Sequence, residues 1–162
     1  MQENLSEQNK IYSSLCHLLQ SENDYLIKSD IDNMNKSASL KEGLLRDAEV
    51  KEQDRHALCV TIAAELRIFS EEPKLLEIAT RLPEPHRSKL IGHKSSLENL
   101  FVEIKRLNHE NEILAQSALE KIGGTIGVMK DALSTGNNTY EKKGQSKKEQ
   151  ATQIQHLVHR EA

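Results

Sequence analysis

Counting alternately by three and four from Leu90 gives Leu90, Lys94, Leu97, Phe101, Ile104, Asn108, Asn111, Ala115, Ala118, Ile122, Thr125 and Met129. Leu100, Leu107, Leu114 and Val128 lie on a seven-residue row beside that seam, with Lys121 in the remaining place. An alternation held this long predicts a helix buried along one narrow stripe. The stripe is bulky at first, polar at Asn108 and Asn111, and small at Ala115, Ala118 and Thr125. Gly123, Gly124 and Gly127 sit beside its small half. Each costs about 1 kcal/mol of helix propensity relative to alanine. That half needs a close-packed neighbour, or it is built to loosen.

Two further long helices and a short one precede it. The first, residues 3–28, has a seam of Leu5, Tyr12, Leu15, Leu19 and Leu26. Ile11, Leu18 and Tyr25 widen the seam, and Gln8 and Glu22 interrupt it. A stripe this broad faces more than one partner helix. Ser29 or Asp30 then caps a second helix, residues 30–69, with acidic groups in its first turn. Its seam is Ile31, Met34, Ala38, Lys41, Leu45, Ala48, Glu52, Arg55, Cys59, Ile62, Leu66 and Phe69. Glu52 and Arg55, three apart, are spaced to pair. At 1.5 Å per residue this helix is roughly 60 Å long, too long for a globular core. It calls for an equally long partner, and the helix over residues 85–133 is the candidate. A short helix over residues 73–82, opened by Glu71, Glu72 and Pro73, reverses the chain between them.

After Leu133 the polar residues 134–139 read as a helix stop. A weak amphipathic segment follows over residues 147–160, with Ala151, Ile154, Leu157 and Val158 as its apolar face. Alone in water such a segment is marginal, and it is the kind that folds on a partner.

Charged residues at 29% and aromatics at 3%, with no Trp, suit long helices better than an aromatic-lined enzyme pocket. A net charge of −3 gives no reason to expect nucleic acid or an anionic membrane. Lys142, Lys143, Lys147 and Lys148 read as a solvated tail. No apolar run approaches the ~20 residues of a membrane span, and the N-terminus lacks a signal-peptide layout. Phosphate-loop, zinc-protease, CxxC and nucleophile-elbow patterns are all missing. His156 with His159, and His86 with His93, share helical faces, but no carboxylate or thiol converges on either pair, so surface histidine is the better account. Gly123 and Gly127 have the spacing of close helix contact, here read as soluble helix packing. Cys16 and Cys59 fall at inward positions as small hydrophobes, which fits a reducing compartment. Asn108 and Asn111 read as buried, register-fixing asparagines.

The stretch LLQSENDYLIKSDIDNMNKSASLKEGLL with Glu22, Asp30, Lys41 and Leu44-Leu45, followed by Arg55 and Leu58, resembles the opening of the FlgN-type flagellar export chaperones. The resemblance continues with Asn108, Asn111 and Leu114 at three-residue spacing, and with Thr139, Tyr140 and Gly144. The glycine trio and the long polar connection after Leu133 depart from the family pattern. The resemblance implies a cytoplasmic type III secretion chaperone without enzymatic activity or cofactor. Its clients would be the hook–filament junction proteins, held by their C-terminal helices and delivered to the export gate's cytoplasmic domain, with the export ATPase complex as a further partner. It implies client binding at Ala118, Ile122, Ile126, Met129, Leu133, Ile154, Leu157 and Val158, and gate docking at Tyr140. No nucleic acid and no membrane insertion are expected.

The expected fold is all-α: an elongated antiparallel helical hairpin or coiled-coil bundle over residues 1–133, with a mobile tail over 134–162. The other reading of the same stripes is a self-associating coiled-coil scaffold, in which they pair between copies.

Overall fold

A computed structural model describes residues 1–136. The fold is all-α, and the regular structure of the described residues is four helices without a strand. They are α1 (Gln2–Lys28), α2 (Ile31–Glu65), α3 (Leu75–Arg81) and α4 (His86–Gly136). The chain divides into two compact units, Met1–Ile122 and Gly123–Ala162.

In the first unit, α1 turns into α2 through two residues. Ser29 takes a left-handed conformation (φ 55°), and its N–H donates to the Leu26 carbonyl at 3.2 Å. The Asp30 N–H closes the turn on the Tyr25 carbonyl at 2.9 Å. Asp30 is the N-cap of α2, its carboxylate accepting from the Asn33 N–H at 3.1 Å. That hydrogen bond holds the Asp30 carboxyl below its ordinary range.

The tight turn makes α1 and α2 antiparallel, and the polar residues interrupting α1 meet their partners there. Gln8, 2% exposed, donates to the Lys51 carbonyl at 3.0 Å and to Glu52, and Asn4 donates to the same carbonyl. Near the other end Glu22 accepts from Ser37 and pairs with Lys41 at 2.5 Å. Lys41, a charged residue on an apolar seam, is thereby explained, and Glu52 and Arg55 pair as their spacing predicts.

Against α4, α1 runs parallel. Gln2 bonds His86, the Asn9 amide reaches the His93 carbonyl, and the Cys16 thiol faces the Leu100 carbonyl. Each pair is 84 apart in sequence, so the contacts repeat every seven residues as in a coiled coil. The fourth step lands one turn later, where Asn23 donates to Asn111.

Two apolar clusters fill the first unit. One joins Leu5 with Leu75 and Ala79 of α3 and Leu90 and Leu97 of α4. The other joins Leu15, Cys16 and Leu19 with Leu107, flanked by Leu44, Leu100 and Ile104. Tyr12 packs against both. α3 thus closes the end of the bundle where α1 and α4 begin, and Glu84 accepts from Ser88 N–H in the first turn of α4.

Several expectations are corrected. The buried stripe of α4 follows Leu90, Leu97, Ile104 and Asn111 together with Leu100, Leu107 and Leu114, whereas Asn108 is exposed. Phe101 is 42% exposed, its ring edge on Tyr12 with centroids 4.7 Å apart. In the first part of α2 the inward positions are Met34, Ser37, Lys41, Leu44, Ala48 and Lys51, while Ile31, Ala38 and Leu45 are exposed; further on, Arg55, Cys59 and Ile62 lie inward as expected, with Ala63 buried beside them. α2 stops at Glu65, because Arg67 takes φ 54° and its N–H caps the Ala64 carbonyl. Phe69 lies beyond that stop and is 98% exposed. α3 begins at Leu75 rather than at Pro73, with the Glu77 carboxylate accepting from the Lys74 N–H. The partner of α2 shown by these hydrogen bonds is α1. α4 continues through Ser134 and Thr135 to Gly136, where a helix stop was expected.

Of the second unit, the described part is the end of α4. Every residue from Gly123 to Leu133 is exposed.

Candidate functional site

The inner half of α4 is satisfied by α1. Asn111, 7% exposed, donates to the Leu19 carbonyl at 2.8 Å and accepts from Asn23 at 3.0 Å. Beyond Ala118 the apolar residues of α4 are exposed as far as Leu133. Leu119 and Ile122, the last apolar residues of the first unit, are exposed. In the second unit Ile126, Val128, Met129 and Leu133 are exposed as well, Leu133 to 75%. Leu119, Ile122, Ile126, Met129 and Leu133 keep the alternation of three and four that elsewhere marks a buried seam. Fully burying a side chain of this size is worth about 1.5–3 kcal/mol.

Among the residues that the resemblance singles out, Ala118 is half-buried in the first unit, and Ile122, Ile126, Met129 and Leu133 are exposed. Tyr140, Ile154, Leu157 and Val158 lie outside the described residues. Leu119 was not singled out, although its place three residues before Ile122 and seven before Ile126 marks it. Gly123 and Gly127 do not serve close packing: a Cβ at either position, or at Gly124, would meet nothing within 4 Å among the described residues.

Among the concave features of the first unit is a cleft of ≈ 420 Å³. Leu5, Gln8 and Tyr12 line it together with Glu52 and Arg55 of α2 and Lys94, Glu98 and Phe101 of α4. Its charges are matched within each helix, Glu52 with Arg55 and Lys94 with Glu98. The Arg55 guanidinium holds the Glu52 carboxyl below its ordinary range, the reverse of what a general acid needs. Burial pushes the Cys16 and Cys59 thiols up, away from the reactive thiolate. Among the described residues no cluster of three or more His, Cys, Asp or Glu could hold a metal ion. No described helix is long and apolar enough to cross a membrane.

The architecture is therefore one of contact between helices. A protein-family model described as FlgN protein matches residues 1–148. Neither a curated protein nor a solved structure matches the chain.

Proposed function

Because this chain belongs to the FlgN family of flagellar export chaperones, we propose that it binds the C-terminal helices of the hook–filament junction proteins and keeps them unassembled in the cytoplasm. It then delivers them to the cytoplasmic domain of the export gate. The observation that carries this reading is the exposed apolar spacing of α4, from Leu119 to Leu133, on a helix whose earlier turns are covered by α1. An amphipathic client helix laid on it would meet anchors at three- and four-residue spacing, as in other helix-recognition surfaces. The client site comprises Ala118, Ile122, Ile126, Met129 and Leu133 of α4, extended by Ile154, Leu157 and Val158. Tyr140 is the gate-docking residue.

The experiment separates the two partners. Calorimetric titration of the full chain against a purified hook–filament junction protein should give a saturable complex. Ile154→Asp combined with Leu157→Asp should weaken that complex and spare binding to the gate domain. Tyr140→Ala should weaken gate binding and spare the client. Absence of a client complex with the unaltered chain overturns the proposal; equal loss of both partners in both variants overturns the division of labour.

A further inference from the structure

Among the described residues nothing in the geometry of the free chain calls for Gly123, Gly124 or Gly127. None of the described glycines takes a positive φ, so no turn or left-handed cap calls for them. Nothing among the described residues stands within 4 Å of a Cβ placed at Gly123, Gly124 or Gly127, so no close approach calls for them either. What remains is their effect on the helix itself. Relative to alanine, each glycine lowers the local helix equilibrium about fivefold, and three together about a hundredfold. The chain divides into its two units at the first of them, between Ile122 and Gly123. The side chains around them, Ile122, Ile126 and Met129, are about half exposed or more, so their burial offsets little of the loss.

We propose that Gly123, Gly124 and Gly127 keep the end of α4 a weak helix, which a bound client helix completes. Resting on the client-binding reading above, this assigns the site a regulation: part of the interaction free energy goes into ordering the helix. Affinity is thereby held down and release made faster. A carrier that must hand its cargo on needs a site of that kind, since tight binding is set chiefly by slow dissociation.

The test uses the full chain with Gly123→Ala, Gly124→Ala and Gly127→Ala combined. Amide hydrogen exchange over residues 119–133 should slow by up to about a hundredfold in the free protein. Titration with a purified hook–filament junction protein should show tighter binding and slower dissociation than the unaltered chain. Unchanged exchange over 119–133 overturns the weak helix, and weaker client binding by the alanine variant overturns its proposed use. If the unaltered chain fails to bind the client, the client reading falls, while the exchange measurement still decides whether the glycines hold the helix weak.

Discussion

Asn108 and Asn111 are three residues apart and chemically identical, yet their surroundings assign them opposite roles. Asn111 satisfies the Leu19 carbonyl and the Asn23 amide from a buried position. Its replacement by Leu leaves the half-buried Asn23 amide without that acceptor. Such losses cost about 1–3 kcal/mol, so Asn111→Leu should lower the melting temperature. Asn108 is exposed, and Asn108→Leu should move stability by no more than about 0.5 kcal/mol. Thermal denaturation of the two variants side by side checks the contrast. Spacing alone marked both as seam residues; only the direction in which α1 lies distinguishes them. Ser29 supplies a second test at this scale. It holds φ 55° at the C-cap of α1, where glycine avoids the Cβ penalty. Ser29→Gly should therefore raise the melting temperature by a few degrees, an increment of about 0.5–1 kcal/mol.

At the scale of the element, an alternation of three and four leaves one choice open. From Leu90, Leu97, Ile104 and Asn111 the next inward residue is either three or four positions on. Three gives His93, Leu100, Leu107 and Leu114; four gives Lys94, Phe101, Asn108 and Ala115. In the middle of the helix the structure takes the first row, with Leu100 and Leu107 inward and Phe101 and Asn108 exposed, and α2 makes the same choice with Ser37, Leu44 and Lys51. The helices, the break at Ser29–Asp30 and the Glu52–Arg55 pair were legible because local spacing and capping chemistry determine them. The row was not, because it depends on which side the neighbouring helix occupies. The end of α2 was hidden for a related reason: Phe69 continues the spacing, but Arg67 has already turned the backbone. For the proposed client site, sequence spacing shows the apolar row of α4, whereas the exposure of its residues is read only from the structure. A consequence follows for Phe101. Being 42% exposed, with one ring contact to Tyr12, it should cost on the order of 1 kcal/mol when changed to Ala. Leu107→Ala, at 3% exposure, should cost about 2–5 kcal/mol. Chemical denaturation of both ranks them, and a larger loss for Phe101 would contradict the assigned row.

For the whole molecule, carboxylates set the acid limit. Arg55 lowers the Glu52 carboxyl, and Asn33 lowers that of Asp30. A carboxyl whose pKa is depressed on folding contributes stability above its unfolded value and loses it as pH falls through the folded one. The melting temperature should therefore stay level above about pH 5 and decline below about pH 4; a decline already at pH 6 would contradict this. The larger claim is that the first unit is the scaffold and the exposed turns of α4 are the working surface. Ile126→Asp combined with Met129→Asp tests it most directly, by calorimetric titration against a purified hook–filament junction protein alongside thermal denaturation of the free chain. Both side chains are exposed, so the melting temperature should hold while client affinity falls by at least tenfold, the loss of about 1.4 kcal/mol or more expected when apolar anchors are replaced by charge. Full client affinity in this variant would contradict the account.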